Sequence, residues 1–157
     1  MTPAINAAKK AKIVYTIHQY VHEPTTASFG KEAAEKLGLD EARVFKTLVV
    51  ELDQGNLAVG IIPVSAMLSM KQLAKAAGAK KAAMADKGAV ERATGYVLGG
   101  VSPLGQKKRL PTFIDGSATA FPTVFVSGGR RGLEIELKPA DLANLTGAKF
   151  AEISEGR

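Results

Sequence analysis

The chain contains no cysteine, which excludes disulfides, a thiolate nucleophile and any Cys-ligated zinc or iron–sulfur site. Long apolar runs are missing as well. No stretch approaches the roughly 18 residues of a membrane helix, and MTPAINAAKKAKIVYTIHQY (1–20) has no apolar segment ahead of a small-residue cleavage site. The expectation is a cytoplasmic protein with no membrane association. The glycine-rich segments lack both the Lys-Ser/Thr ending of a P-loop and the GxGxxG spacing, so ATP and dinucleotide binding are rejected on motif grounds. No G-x-S-x-G elbow is found, and no Ser-His-Asp context surrounds Ser127. The only histidines, His18 and His22, are four apart with no evident third ligand, so no metal or other cofactor is expected. Repeats, low-complexity tracts and interdomain linkers are also absent, which for 157 residues predicts one domain spanning 1–157.

What remains is an ordinary globular composition, 46% hydrophobic and 23% charged. Lys and Arg outnumber Asp and Glu by 21 to 15, giving a net charge of +6. The basic residues gather at 9–12, 71–81, 107–109 and 130–131. A surplus of this kind attracts polyanions, and it also serves solubility alone.

Hydrophobic period and capping residues predict the elements. Thr2-Pro3 opens a helix through Lys12, and Ile13, Tyr15 and Ile17 alternate in a strand over 13–22. Ser28 caps a helix ending at Leu37 before Gly38, and Asp40–Arg43 makes a short turn. VFKTLVVEL (44–52) and NLAVGIIPV (56–64) flank Asp53-Gln54-Gly55 as a hairpin. Ser69 and Asp86 cap two helices stopped at Gly78 and Gly95, with a short strand near 80–84 between them. Later strands fall at 110–114, 122–127 and 133–137, then a helix from Pro139 through Leu145 and a last strand near 149–153. Without a strict βαβ rhythm, this order predicts a mixed α/β (α+β) fold, a largely antiparallel sheet with helices packed around it.

Three segments could carry chemistry. Lys46 sits inside the apolar run VFKTLVVEL, where a buried ammonium is costly unless paired; an edge-strand lysine reaching water is the other account. Phe45 and Thr47 are expected on the opposite face. Gly99 and Gly100, in GYVLGGVSPLGQ (95–106), could bring backbone N–H groups close to a substrate oxygen, or serve only as a tight crossover. Ser127-Gly128-Gly129-Arg130-Arg131-Gly132 reads either as a site mouth with arginines for phosphate or as a hairpin turn with solvated arginines. Glu134 and Glu136 share one strand face, which an exposed face also explains.

Taken in order, FGKEAAEKLGL (29–39), VFKTLVV (44–50), GYVLGGVSPLGQKKR (95–109) and VFVSGGRRGLEIEL (124–137) resemble the YbaK family associated with prolyl-tRNA synthetase. The resemblance spans nearly the whole chain. It implies a curved, largely antiparallel sheet and hydrolysis of the ester of mischarged Cys-tRNA(Pro), with possible extension to Cys-tRNA(Cys). It implies Lys46 as the catalytic residue, Tyr20, Phe29, Thr47, Gly99, Gly100, Ser127 and Glu134 at the substrate, and Lys107, Lys108, Arg109, Arg130 and Arg131 toward tRNA. Glu134 stands where the family often has Asp, and Arg130 where it usually has Lys. The implied partners are the aminoacyl-tRNA and, transiently, prolyl-tRNA synthetase. The same superfamily includes alanine deacylases, so Ala-tRNA(Pro) is an alternative substrate. From the charge alone, a non-catalytic tRNA- or synthetase-binding module is a third account.

Overall fold

The computed structural model describes residues 1–24 and 29–155. In order the elements are α1 (Pro3–Ala11), β1 (Tyr15–Gln19), α2 (Phe29–Leu37), β2 (Phe45–Leu52), β3 (Leu57–Pro63), β4 (Met67–Leu68), α3 (Met70–Ala76), β5 (Ala82–Met84), α4 (Lys87–Thr94), β6 (Thr112–Asp115), β7 (Val124–Ser127), β8 (Leu133–Leu137), α5 (Pro139–Thr146), β9 (Lys149–Ala151) and β10 (Ser154–Glu155). Local chemistry sets many of these boundaries. The Thr2, Ser69 and Asp86 side chains accept from the backbone N–H groups of Ile5, Gln72 and Ala89, capping α1, α3 and α4. Gly95 ends α4 in the left-handed region at φ +80°. The expected cap at Ser28 lies outside the described residues.

Strand order is β5-β2-β3-β6-β9 in the larger sheet and β1-β8-β7 in the smaller, with β4 and β10 paired separately. Most pairings are antiparallel, as expected from sequence, but β3–β6 and β6–β9 are parallel. β1 is shorter than the anticipated 13–22, because its partner β8 begins at Leu133 and the ladder ends at Gln19. The two-residue strands β4 and β10 were not anticipated.

The two sheets face each other across a core built from Val49, Val59, Ile61 and Ile114 on one side and Val126, Leu133, Ile135 and Leu137 on the other. On the outer face of the larger sheet, Val50, Ala58, Ile62 and Phe113 pack with Leu73 of α3. β3 is buried from Ala58 to Pro63, consistent with its central place in the sheet. Each fully buried Ile on it removes enough apolar surface from water to contribute about 2–3 kcal/mol. This rigid layer holds β2 in place, and β2 carries Lys46.

Candidate functional site

β5 pairs with β2 only at Val50–Leu52, so the half of β2 from Phe45 to Leu48 has β3 on one side and, among the described residues, no strand laddered along the other. A single parallel bridge, Val44 to Phe125, joins the start of this half to β7. The gap opens into a cavity of about 280 Å³. Lys46 therefore lies in a strand that is interior at one end and open at the other, which combines the two accounts its sequence allows. Phe45, Lys46 and Thr47 all line the cavity, although alternation places Lys46 opposite its neighbours, because the cavity wraps the open edge of the strand.

The wall across from β2 comes from the glycine loop and the β7–β8 hairpin. Gly99, at φ +95°, lines the cavity together with Leu98 and Val101. Gly100 stands just behind, where a Cβ would come within 3.0 Å of the Arg130 Cα, so glycine here permits the loop to lie against the hairpin. The Ser127 hydroxyl links the two segments, donating to the Gly100 carbonyl oxygen at 3.4 Å and accepting from the Gly129 N–H at 3.1 Å. Ser127-Gly128-Gly129-Arg130-Arg131-Gly132 is thus a hairpin turn, and it also forms part of a site wall.

Tyr20, Ser127, Arg130, Arg131 and Glu134 complete the polar lining. Burial, then the nearby charge of Lys31, lowers the pKa of the Lys46 ammonium. Among the described residues no carboxylate lies within ion-pair distance of Lys46. The Thr47 hydroxyl is buried without a hydrogen-bond partner among those residues. Burial raises the Tyr20 phenol, and the Glu134 carboxyl adds to that shift.

For Glu134 the sequence leaves open whether its strand face is exposed. Instead of lying on an exposed strand face, it is only 7% exposed, and burial pushes its pKa up to about 8. Glu136, on the same face, lies outside the cavity and bonds His18 at 2.8 Å and the Thr123 hydroxyl at 2.6 Å. The Glu134 carboxyl is therefore mostly neutral at pH 7, an acid that lines the same cavity as the Lys46 ammonium. Because its folded pKa is raised, the stability linked to its proton is fully present below pH about 4.5 and is lost as pH rises through about 8. Glu134→Gln keeps the neutral shape at all pH values. The expected outcome is that Glu134→Gln gains stability relative to wild type on going from pH 4.5 to pH 8, by roughly 3 kcal/mol. Urea titrations at the two pH values check this, and an unchanged difference would contradict it.

The arrangement supplies electrostatics and positioning rather than a protein nucleophile. Ser127 directs its proton to a carbonyl and, among the described residues, has neither a histidine nor a carboxylate as partner, so no base is in place there to activate it. His18 pairs with Glu136. His22 bonds the buried Glu32 at 2.6 Å through Nδ1 and approaches the Arg131 guanidinium at 3.4 Å through Nε2. That chain helps orient Arg131, and sequence reasoning missed it; the available signal was Glu32 beside Ala33 and Ala34 on the buried face of α2. No group of three or more His, Cys, Asp or Glu suited to a metal is found among the described residues.

Of the residues expected at the substrate, the cavity brings together Lys46, Tyr20, Thr47, Gly99, Ser127 and Glu134, with Gly100 immediately behind. The Phe29 backbone starts α2, but its side chain lies outside the described residues. Arg130 and Arg131 reach the cavity, whereas Lys107, Lys108 and Arg109 do not. The Lys107 and Lys108 N–H groups donate to the Thr94 and Ala93 carbonyls at the end of α4, and Lys108 and Arg109 line a separate cavity with Ala7 and Leu145.

Comparison with known proteins identifies the family and the fold. The family model described as the aminoacyl-tRNA editing domain matches residues 22–145. A protein of Enterococcus faecalis, EbsC, named as a candidate Cys-tRNA(Pro)/Cys-tRNA(Cys) deacylase, is 37% identical over 98% of this chain and 93% of its own. The crystal structure of a candidate trans-editing enzyme for prolyl-tRNA synthetase superposes with a TM-score of 0.84 at 25% identity, covering 98% of this chain and 96% of that one. A hypothetical protein of known structure gives a TM-score of 0.85 at 27% identity, covering 98% of this chain and 100% of its own. With the match extending over most of its length, the chain belongs to the aminoacyl-tRNA editing domain family, the group to which its four sequence segments pointed.

Proposed function

We propose that this chain, acting through a single domain over 1–157, hydrolyses the aminoacyl ester of Cys-tRNA(Pro) and accepts Cys-tRNA(Cys) as well. The observation that carries this reading is the Lys46 cavity. It joins a half-buried ammonium, a buried neutral carboxyl and an unpartnered Thr47 hydroxyl, yet offers no activated nucleophile among the described residues. Such a site suits a substrate that carries its own nucleophile. The name of EbsC supports the choice of cysteine.

In the reaction, the cysteinyl sulfur attacks its own ester carbonyl. A carbon–sulfur bond forms, the carbon–oxygen bond to the terminal ribose breaks, and the thiol proton passes to the departing ribose oxygen. Water then opens the cyclic thioester to free cysteine. Lys46 and the N–H groups of the glycine loop stabilise negative charge on the carbonyl oxygen, and the apolar walls at Val44, Phe45 and Leu98 hold the small side chain in attacking position. Prolyl-tRNA synthetase is the expected source of this substrate and a transient partner, because a pocket sized for proline discriminates against a similar small amino acid by only about 1–3 kcal/mol. Lys107, Lys108 and Arg109 contribute outlying contacts to the tRNA. The site of action is the cytoplasm; among the described residues no helix is long and apolar enough to cross a membrane.

Turnover of Cys-tRNA(Pro) against Ala-tRNA(Pro) by the purified chain tests the substrate. Cysteine is expected to be released at least about tenfold faster, since alanine fills less of the cavity and brings no nucleophile. Faster release of alanine would reassign the chain to alanine clearance.

A further inference from the structure

A second cavity, of about 540 Å³, adjoins the first and shares Leu98, Arg130 and Arg131 with it. The consecutive glycines divide the two: Gly99 lines the first and Gly100 the second. The second cavity adds Lys87, at the start of α4, and Val97. Val97 is 67% exposed and Leu98 50%, so two adjacent aliphatic side chains face solvent between basic groups. Its lining contains no carboxylate among the described residues. Two acidic groups of the α4 segment are engaged by backbone N–H groups: Glu91 accepts from the Leu98 N–H at 3.3 Å, and Asp86 caps α4 through the Ala89 N–H at 2.8 Å. Isolated exposed aliphatics need no explanation, but a pair flanked by cations and opening directly onto a reaction cavity does.

We propose that this groove, with Val97 and Leu98 as its shelf and Lys87 and Arg130 at its sides, holds the unpaired 3′-terminal nucleotides of the tRNA. The inference rests on the deacylase reading, because an aminoacyl group in the Lys46 cavity must trail the ribose, base and phosphates of the RNA end to which it is esterified. The two cavities meet at Leu98, Arg130 and Arg131, which line both. The chemistry of the groove fits that occupant. A base presents an apolar face to the aliphatic shelf, and the phosphates between successive nucleotides meet the ammonium and guanidinium groups. Arg130 would thereby contact both the terminal nucleotide and its neighbour, which gives physical content to an arginine where the family usually has lysine: a planar fork grips a phosphate with two bonds.

The test is a binding measurement that needs no turnover. A fluorescent minihelix ending in an unpaired CCA overhang is titrated with the full chain alongside the same duplex made blunt. Wild type is expected to favour the overhang by about tenfold or more. Val97→Asp and Lys87→Gln, both at exposed positions that the fold does not need, are each expected to weaken overhang binding about five- to tenfold and to leave blunt-duplex binding unchanged. Lys87→Gln should also reduce the salt dependence by roughly 0.7 in log–log slope, the loss of one single-strand phosphate contact. No preference for the overhang in wild type, or equal weakening of both RNAs by the variants, would overturn the groove. Overhang binding without any deacylation of Cys-tRNA(Pro) would instead overturn the proposed function and leave the groove standing.

Discussion

Lys46→Ala is expected to slow deacylation of Cys-tRNA(Pro) by a factor of about 10² to 10³ while the chain stays folded, the usual effect of deleting one well-placed electrostatic group. Both halves follow from the environment of the lysine. Its ammonium lines the cavity without a carboxylate partner among the described residues, and burial lowers its pKa, so the charge is held there at a cost to the fold. Removing it leaves stability equal or higher. Lys46→Arg separates charge from shape: the guanidinium keeps the charge but is broad and planar, and a compact point charge in a cavity of about 280 Å³ predicts poor rescue. Single-turnover rates for the three proteins, with thermal melts alongside, check this. Near wild-type activity in the Ala variant would remove Lys46 from the chemistry.

The elements were legible where the signal was local. Thr2, Ser69 and Asp86 cap the helices their residue types announced, and the 44–52 and 56–64 runs form the expected antiparallel pair around Asp53-Gln54-Gly55. The Asp53 carboxylate also accepts from the Lys80 and Lys81 N–H groups, tying that turn to the approach of β5, a contact no local pattern reveals. The parallel β3–β6 and β6–β9 pairings, the division into two facing sheets and the β4–β10 pair depend on partners far apart in the chain. Period-two alternation states which residues share a face, not what covers that face.

The same limit explains the site. Lys46 stood out because a charge inside an apolar run is expensive, and Gly99-Gly100 because two glycines permit close backbone approach. The structure places Lys46 and Gly99 on one cavity, with Gly100 on its neighbour. Alternation in LEIEL put Glu134 and Glu136 on one face and left open whether that face was exposed. The cavity encloses one and leaves the other to pair with His18, so two identical side chains two residues apart hold opposite pKa shifts. Leu98, Val97 and Lys87 carried no sequence signal, since each is an ordinary residue made significant only by its neighbours in space.

The most direct test of the account compares Cys-tRNA(Pro) with Ser-tRNA(Pro) as substrates of the unaltered chain, because the two differ in one atom and that atom is the proposed nucleophile. Size and polarity stay close enough for both to enter the cavity. Reactivity does not: a thiol with a pKa near 8.5 is a few per cent thiolate at neutral pH, and thiolate is intrinsically a strong nucleophile, whereas an unactivated hydroxyl is neither ionised nor comparably reactive. Saturating single-turnover rates isolate the chemical step from binding. Attack by the substrate's own side chain predicts a loss of about 10³-fold or more with serine at similar affinity. Comparable rates for the two substrates would mean that the site activates water, and the substrate-thiol mechanism would be wrong.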